Sequence, residues 1–197
     1  MFKYVPNILT IIRFFLIPVI ISYLLQGNYI LSFVFLTVSG LTDVLDGFIA
    51  RKFNFITNFG KLIDPLADKA TQISVLTVLT IQNIIPSWIL IVVIVKEFVM
   101  IAGASFLYGK DFVVSSKWYG KLSTVLFYVA IVSSFFINQF NTTLLNHPEY
   151  NTNTLPAFDQ YLYYLALVST VFSLAMYFKA FYTQGYLKKE NLKIENK

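Results

Sequence analysis

Four aspartates lie at helical spacing on either side of one short turn. Asp43 and Asp46 stand near the end of one apolar segment, and Asp64 and Asp68 stand near the start of the next. Side chains three or four residues apart share one face of a helix. Two helices joined by a short turn pack antiparallel at about 8–10 Å. The sequence therefore predicts that all four carboxylates point into one small volume.

Such a group of carboxylates favours bound cations, because like charges and partial burial both disfavour ionised acids. The aspartate segments contain no His or Cys, and oxygen ligands alone suit a hard ion such as Mg²⁺, Mn²⁺ or Ca²⁺. Two such ions about 3.5–4 Å apart would stabilise the attacking and leaving oxygens of a displacement at phosphorus. We therefore expect metal-assisted phosphoryl chemistry.

Small residues accompany the aspartates on the same helix faces. Gly47 and Gly60 have no side chain, so a flat group can approach their backbone closely. Ala50 adds only a methyl group to the same helix face. Arg51 can donate a fork of hydrogen bonds to a phosphate. Small-residue helix contacts with an ion-pair cluster are the structural alternative. That alternative gives no reason for four aspartates on two adjacent faces.

The composition indicates a membrane protein. Hydrophobic residues make up 57% of the 197 residues and charged residues 13%, whereas soluble domains carry about 25% charged residues. A membrane-spanning helix needs about 20 mostly apolar residues. Six segments meet this need, and they predict one all-α membrane domain over residues 1–197, with a frayed tail near 188–197. The segments are 6–25, 29–51, 60–82, 86–108, 118–140 and 157–184.

The basic residues predict the orientation of these spans. The loops near 26–28, 83–87 and 141–156 contain no Lys or Arg, which places them outside and both termini in the cytoplasm. The aspartates then lie near the cytoplasmic surface. Topology also explains the net charge of +5, so we expect no nucleic-acid partner.

The run D-x2-D-G-x2-A-R-x8-G-x3-D-x3-D over residues 43–68 resembles the signature of the CDP-alcohol phosphotransferases at every position. The resemblance implies six transmembrane helices and a homodimer. It also implies two Mg²⁺ or Mn²⁺ ions bound by Asp43, Asp46, Asp64 and Asp68, with Asp68 taking the proton of the acceptor hydroxyl as CMP leaves CDP-diacylglycerol. Gly47, Ala50 and Gly60 resemble cytidine-pocket positions, and Arg51 resembles a diphosphate contact.

The N-terminal segment from Pro6 to Arg13 resembles the opening of phosphatidylglycerophosphate and cardiolipin synthases within that family. Asn7 and Thr10 are therefore expected to contact the CDP-lipid, and Arg13 the acceptor. A capped helix start with an interfacial arginine is the structural alternative.

Three lysines complete the predicted acceptor site. Lys96 falls in the middle of a span, where a charge is costly and therefore functional by default; a buried ion pair with Glu97 is the alternative. Lys117 and Lys121 belong to a stretch that resembles a G-K-x-K-T motif, with Ser123 in place of the second lysine. Anchoring at the cytoplasmic surface is the alternative for both.

Cations at Arg13, Lys96, Lys117 and Lys121 favour a phosphate-bearing acceptor, and we expect sn-glycerol 3-phosphate. The predicted enzyme is a phosphatidyltransferase of the bacterial cytoplasmic membrane whose active site faces the cytoplasm. Phosphatidylglycerol, giving cardiolipin, is the alternative acceptor, followed by other alcohols. Competing classes are a prenyl transferase, which needs more spans and other aspartate spacing, and a cation transporter, whose site would lie nearer the midplane.

Overall fold

The computed structural model describes residues 5–53, 58–106, 118–146 and 158–183, and every regular element in these ranges is an α-helix. This confirms the predicted all-α class. Each helix begins and ends within a few residues of its predicted segment, except that α5 continues past residue 140. The helices are α1 (Val5–Leu25), α2 (Tyr29–Lys52), α3 (Asn58–Ile81), α4 (Ser87–Phe106), α5 (Trp118–Asn146) and α6 (Phe158–Thr183).

Local residue chemistry sets the turns between the first helices. Gly27 follows α1 with a φ of +72°, a conformation that glycine adopts without strain. The side chain of Asn28 then accepts a hydrogen bond from the Leu31 amide and caps α2. At the end of α5, which extends to Asn146, the hydroxyls of Thr142 and Thr143 donate hydrogen bonds to carbonyls one turn earlier.

Within the described residues, four helices are long and apolar enough to cross a membrane by length and composition. These spans are Ile8–Leu25, Tyr29–Ile49, Trp118–Leu144 and Phe158–Lys179. Large apolar side chains such as Phe15 and Val168 are exposed on them, as lipid contact requires. The protein is therefore a helical membrane protein, while six spans and the orientation of the termini stay predictions.

Helix packing brings α1, α2, α3 and α5 together around one apolar core. α1 contacts α2 and α3, α2 and α3 contact α5, and α5 packs along α6. Ile20, Leu24, Leu79, Phe135 and Tyr163 are fully or almost fully buried in this core. The core fixes the relative positions of the helices, so polar side chains beyond it on several helices can share one site. Lys117 and the tail 188–197 lie outside the described residues.

Candidate active site

Arg13 of α1 lies between the first two aspartates, which project from α2. Its Nη2 donates a hydrogen bond to Asp46 Oδ2 at 2.6 Å, and its Nη1 lies 2.8 Å from Asp43 Oδ1. Arg13 and Asp46 are buried, whereas the Asp43 side chain is 46% exposed. One guanidinium therefore compensates two carboxylates that stand one helical turn apart.

The two aspartates of α3 are each held by a hydroxyl from another helix. Thr10 Oγ1 of α1 donates to Asp64 Oδ1 at 2.5 Å, and Tyr128 Oη of α5 donates to Asp68 Oδ1 at 2.9 Å. Thr10 lies three residues before Arg13, so one face of α1 serves aspartates on both α2 and α3. An ionised carboxylate has about four acceptor positions, so one hydroxyl leaves room for further partners.

The four carboxylates are neighbours in the structure. The charge of Asp64 acts on Asp46, and the charge of Asp43 acts on Asp68. Within the ranges that the structure describes, no three Asp, Glu or His side chains are close enough to hold a metal ion as they stand. The expected convergence of the four carboxylates on bound metal ions therefore stays a prediction.

The donor set nevertheless has the chemistry that a hard divalent ion needs. All four groups are carboxylates, and among the described residues Arg13 is the cation in contact with two of them, Asp43 and Asp46, while Asp64 and Asp68 accept hydroxyl hydrogen bonds. An excess of negative charge in a partly buried site is costly without further cations. Asp43, Asp46, Asp64 and Asp68 therefore fit Mg²⁺ or Mn²⁺ as ligands in kind and in charge.

A cavity of about 360 Å³ opens beside the aspartates. Charged residues line one part of it, and apolar side chains line another part about 10–15 Å further along α2. The charged part includes Arg13, Asp43 and Asp68, and the apolar part includes Phe33, Leu36 and Val132. Within the described residues, Arg13 Nε has no hydrogen-bond acceptor, whereas Nη1 lies in the ion pair with Asp43. A cavity that pairs anion-binding donors with an apolar extension suits a phosphate-bearing lipid.

The predicted acceptor cations occupy different settings. Arg13 belongs to the aspartate group, whereas Lys96 of α4 is buried and pairs with Glu97 at 2.5 Å. Lys121 is exposed on α5, and Lys117 lies outside the described residues. The buried pair predicted as the alternative for Lys96 is thus present, and an ion pair does not exclude binding of a substrate phosphate.

For most of the predicted CDP-lipid contacts, the structure gives the position on a helix but no side-chain contact. Thr10 lies at Asp64, and Gly47 is half-buried on α2 one position after Asp46. Ala50 and Arg51 lie further along α2, Gly60 in the first turn of α3 and Asn7 in the first turn of α1. The side chains of Asn7, Ala50 and Arg51, and the surroundings of Gly60, are outside the described part of the structure. The contacts of all these residues with the nucleotide stay predictions.

Sequence reasoning did not include two residues at this site. Tyr128 holds Asp68, and Lys69 pairs with Glu97 at 2.5 Å from the adjacent α3 position. The sequence could have indicated Lys69 as a functional residue, because it is a charged residue within a predicted span, directly after Asp68. Nothing in the sequence indicated Tyr128, since tyrosine in a membrane helix is common and its partner depends on how α5 packs.

Comparison with known proteins identifies the family of this chain. Residues 3–179 match the family model of the CDP-alcohol phosphatidyltransferases. A CDP-diacylglycerol–glycerol-3-phosphate 3-phosphatidyltransferase of Aquifex aeolicus is 35% identical over 144 residues, which are 72% of this chain and 80% of the relative. An enzyme of the same name from Mycoplasma genitalium is 36% identical over 178 residues, 88% of this chain and 72% of the relative.

A third relative carries another name. A Drosophila melanogaster protein named "Probable cardiolipin synthase (CMP-forming)" is 37% identical over 103 residues, 52% of this chain and 32% of its own length. The predicted family is thus confirmed by a match that includes all four aspartates and Arg13. The chain belongs to the CDP-alcohol phosphatidyltransferase family.

Proposed function

We propose that this protein transfers the phosphatidyl group of CDP-diacylglycerol to sn-glycerol 3-phosphate, giving phosphatidylglycerophosphate and CMP. The observation that carries the proposal is the position of Asp68. This carboxylate is held by Tyr128 and lines a cavity that has both charged and apolar parts. The names of the two bacterial relatives, each of which aligns with more than two thirds of this chain, support the same reaction.

The CDP-lipid binds across α1, α2 and α3. Gly47, Ala50 and Gly60 leave space for the cytidine, and Arg51 contacts the diphosphate. Asn7 and Thr10 contact the same substrate from α1, while the apolar part of the cavity accepts the start of an acyl chain. Arg13 Nε, which has no acceptor within the described residues, supports phosphate binding next to the aspartates.

Asp68 acts as the base. It accepts the proton of the acceptor hydroxyl, whose oxygen forms a bond to the β-phosphorus of CDP-diacylglycerol. The bond from that phosphorus to the oxygen bridging the two phosphates breaks, and CMP leaves with the bonding electrons. Tyr128 uses one acceptor position of Asp68 Oδ1, and the carboxylate keeps further acceptor positions for the hydroxyl.

Bound at Asp43, Asp46, Asp64 and Asp68, two Mg²⁺ or Mn²⁺ ions would supply stabilisation of the charge on the transferring phosphate. Asp43 and Asp46 are one turn apart on α2, and Asp64 and Asp68 one turn apart on α3, so each helix contributes a pair of ligands. Arg13 contributes a fixed positive charge between Asp43 and Asp46.

The two candidate functions differ in the acceptor alcohol. Lys96, Lys117, Lys121 and Arg13 form the proposed site for the phosphate of glycerol 3-phosphate. Cardiolipin synthesis from phosphatidylglycerol is the second candidate, because Ser123 replaces a lysine and one relative carries that name. Glycerol 3-phosphate is favoured because the relatives named for it align over 72% and 88% of this chain, against 52% for the cardiolipin relative.

The chain forms one domain over residues 1–197 with six spans, and it works as a homodimer in the bacterial cytoplasmic membrane with both termini inside. The loops without Lys or Arg support this orientation, which places the aspartates at the cytoplasmic surface. Water-soluble glycerol 3-phosphate can then reach the site from the cytoplasm.

An acceptor panel with the purified protein tests the function. Protein in detergent micelles receives CDP-diacylglycerol, Mg²⁺ or Mn²⁺, and one acceptor at a time, and products are read by mass. We expect phosphatidylglycerophosphate and an equal amount of CMP with glycerol 3-phosphate, and no CMP after removal of divalent ions by a chelator. Cardiolipin as the main product with phosphatidylglycerol would select the second candidate. Absence of CMP with every alcohol would refute both.

A further inference from the structure

A buried carboxylate on α4 holds two lysines at once. Glu97 Oε1 lies 2.5 Å from Lys96 Nζ of the same helix, and Glu97 Oε2 lies 2.5 Å from Lys69 Nζ of α3. The Glu97 side chain is 5% exposed, that of Lys96 10% and that of Lys69 29%. The side chain of Lys69 is therefore the most exposed member of this cluster.

The cluster of Lys69, Lys96 and Glu97 has a net positive charge, unlike a simple ion pair. One carboxylate neutralises one ammonium, so two lysines and one glutamate leave one positive charge in a largely buried place. Such a charge is costly inside a membrane protein and marks a functional site by default. Each ammonium has three donors, and the contact with Glu97 Oε2 at 2.5 Å uses one of those on Lys69. The ammonium of Lys69 can therefore donate to another anion as well.

The cluster lies beside the proposed base. Lys69 follows Asp68 directly on α3, and the charge of Glu97 acts on the Asp68 carboxylate. The charge of Arg13 also acts on Asp68. Asp68 therefore lies near both the aspartate–Arg13 group and the lysine cluster, as a base that serves a donor phosphate and an anionic acceptor requires.

We propose that Lys69 and Lys96, held together by Glu97, bind the phosphomonoester of the acceptor, with Lys69 as the direct contact and Glu97 as the positioning residue. This inference rests on the proposed function and adds Lys69 and Glu97 to its acceptor site. A phosphomonoester carries close to two negative charges at neutral pH. The phosphodiester of phosphatidylglycerol carries one, so the cluster favours the smaller and more highly charged acceptor.

The test is steady-state kinetics of the full-length protein in detergent, with glycerol 3-phosphate and CDP-diacylglycerol varied separately. Lys69→Met removes the charge and keeps the side-chain length. We expect the KM for glycerol 3-phosphate to rise about ten- to a hundredfold, the range for one lost charged hydrogen bond. The KM for CDP-diacylglycerol and kcat should change less than about threefold, and Lys69→Arg should restore most of the affinity.

Lys52→Met provides the matched control, because Lys52 is an exposed lysine at the end of α2 that has no part in the proposed site. Its glycerol 3-phosphate KM should stay at the wild-type value. Glu97→Gln should raise the same KM as Lys69→Met does, because both lysines lose the group that places them.

A measurement on the wild-type protein covers the case in which Lys69→Met does not fold. Inorganic phosphate should inhibit competitively against glycerol 3-phosphate and not against CDP-diacylglycerol, and Lys69→Arg should keep this pattern. The inference is overturned if phosphate does not compete, or if a folded Lys69→Met protein keeps the wild-type KM. If the wild-type protein does not use glycerol 3-phosphate at all, the proposed function fails instead.

Discussion

The guanidinium of Arg13 on α1 and the carboxylate of Asp46 on α2 form a buried hydrogen-bonded ion pair with a distance of 2.6 Å. Asp46 belongs to the family motif, whereas Arg13 lies 33 residues earlier in the chain. Arg13 also contacts Asp43 and therefore ties the first helix to two motif positions. Folding of α1 against α2 and the electrostatics of the site thus depend on the same side chain.

Replacing Arg13 by alanine should destabilise the protein strongly. The change leaves Asp46 buried without its counter-charge, and removal of one partner of a buried ion pair costs about 3–5 kcal/mol. We expect a clear fall in the melting temperature, read by intrinsic fluorescence in detergent. Arg13→Lys should recover part of the loss, because an ammonium supplies the charge without the fork. An unchanged melting temperature for Arg13→Ala would show that the pair contributes little.

Replacing Asp68 by asparagine should remove the base while keeping the shape of the side chain. We expect the transfer rate to fall about 10²–10⁴-fold, with binding of CDP-diacylglycerol retained. Asp159→Asn is the matched control, since Asp159 is a buried aspartate on α6 that accepts a hydrogen bond from Ser134 at 2.6 Å. Its activity per folded molecule should stay within about twofold of wild type, because Ser134 lies about 9 Å further along α5 than Tyr128. A folded Asp68→Asn protein with full activity would exclude Asp68 as the base.

Tyr128→Phe should lower kcat about two- to tenfold and leave both KM values unchanged. The change removes one hydrogen bond, worth about 0.5–1.5 kcal/mol, from the carboxylate that takes the proton. Tyr163→Phe makes the same chemical change at a buried tyrosine that contacts Ser134 instead, and its kcat should not change. If both variants lose activity in parallel with stability, Tyr128 is structural and does not position Asp68.

Gly120 and Tyr177 should show coupled effects on stability. A Cβ added at Gly120 would lie 2.8 Å from the hydroxyl oxygen of Tyr177 and 3.4 Å from the nearest atom of its ring. We expect Gly120→Ala to destabilise by about 1–2 kcal/mol, because overpacking exceeds the gain in helix propensity. In a Tyr177→Phe background, which lacks the hydroxyl, Gly120→Ala should reduce the stability by a smaller amount. Equal losses in both backgrounds, measured as melting temperatures in a double-mutant cycle, would contradict this contact.

Much of the architecture is determined locally, and the sequence therefore predicted it. The lengths of the apolar segments define the helices, and turn residues such as Gly27 and Asn28 separate them. The spacing of the aspartates places Asp43 with Asp46 on one helix face and Asp64 with Asp68 on another, because an α-helix repeats every 3.6 residues. The same spacing within the motif predicted the family, which the family match confirmed.

The partners of the aspartates were decided only by the tertiary structure. Thr10, Arg13 and Tyr128 reach Asp64, Asp46 and Asp68 from sequence separations of 33 to 60 residues. The pairing of Lys69 with Glu97 likewise depends on how α3 packs against α4. Residue spacing fixes which side chains share a face of one helix, but it does not fix the rotation of that helix against its neighbours. That rotation is set by the packing of the whole core, in which each helix buries its apolar stripe against several others at once.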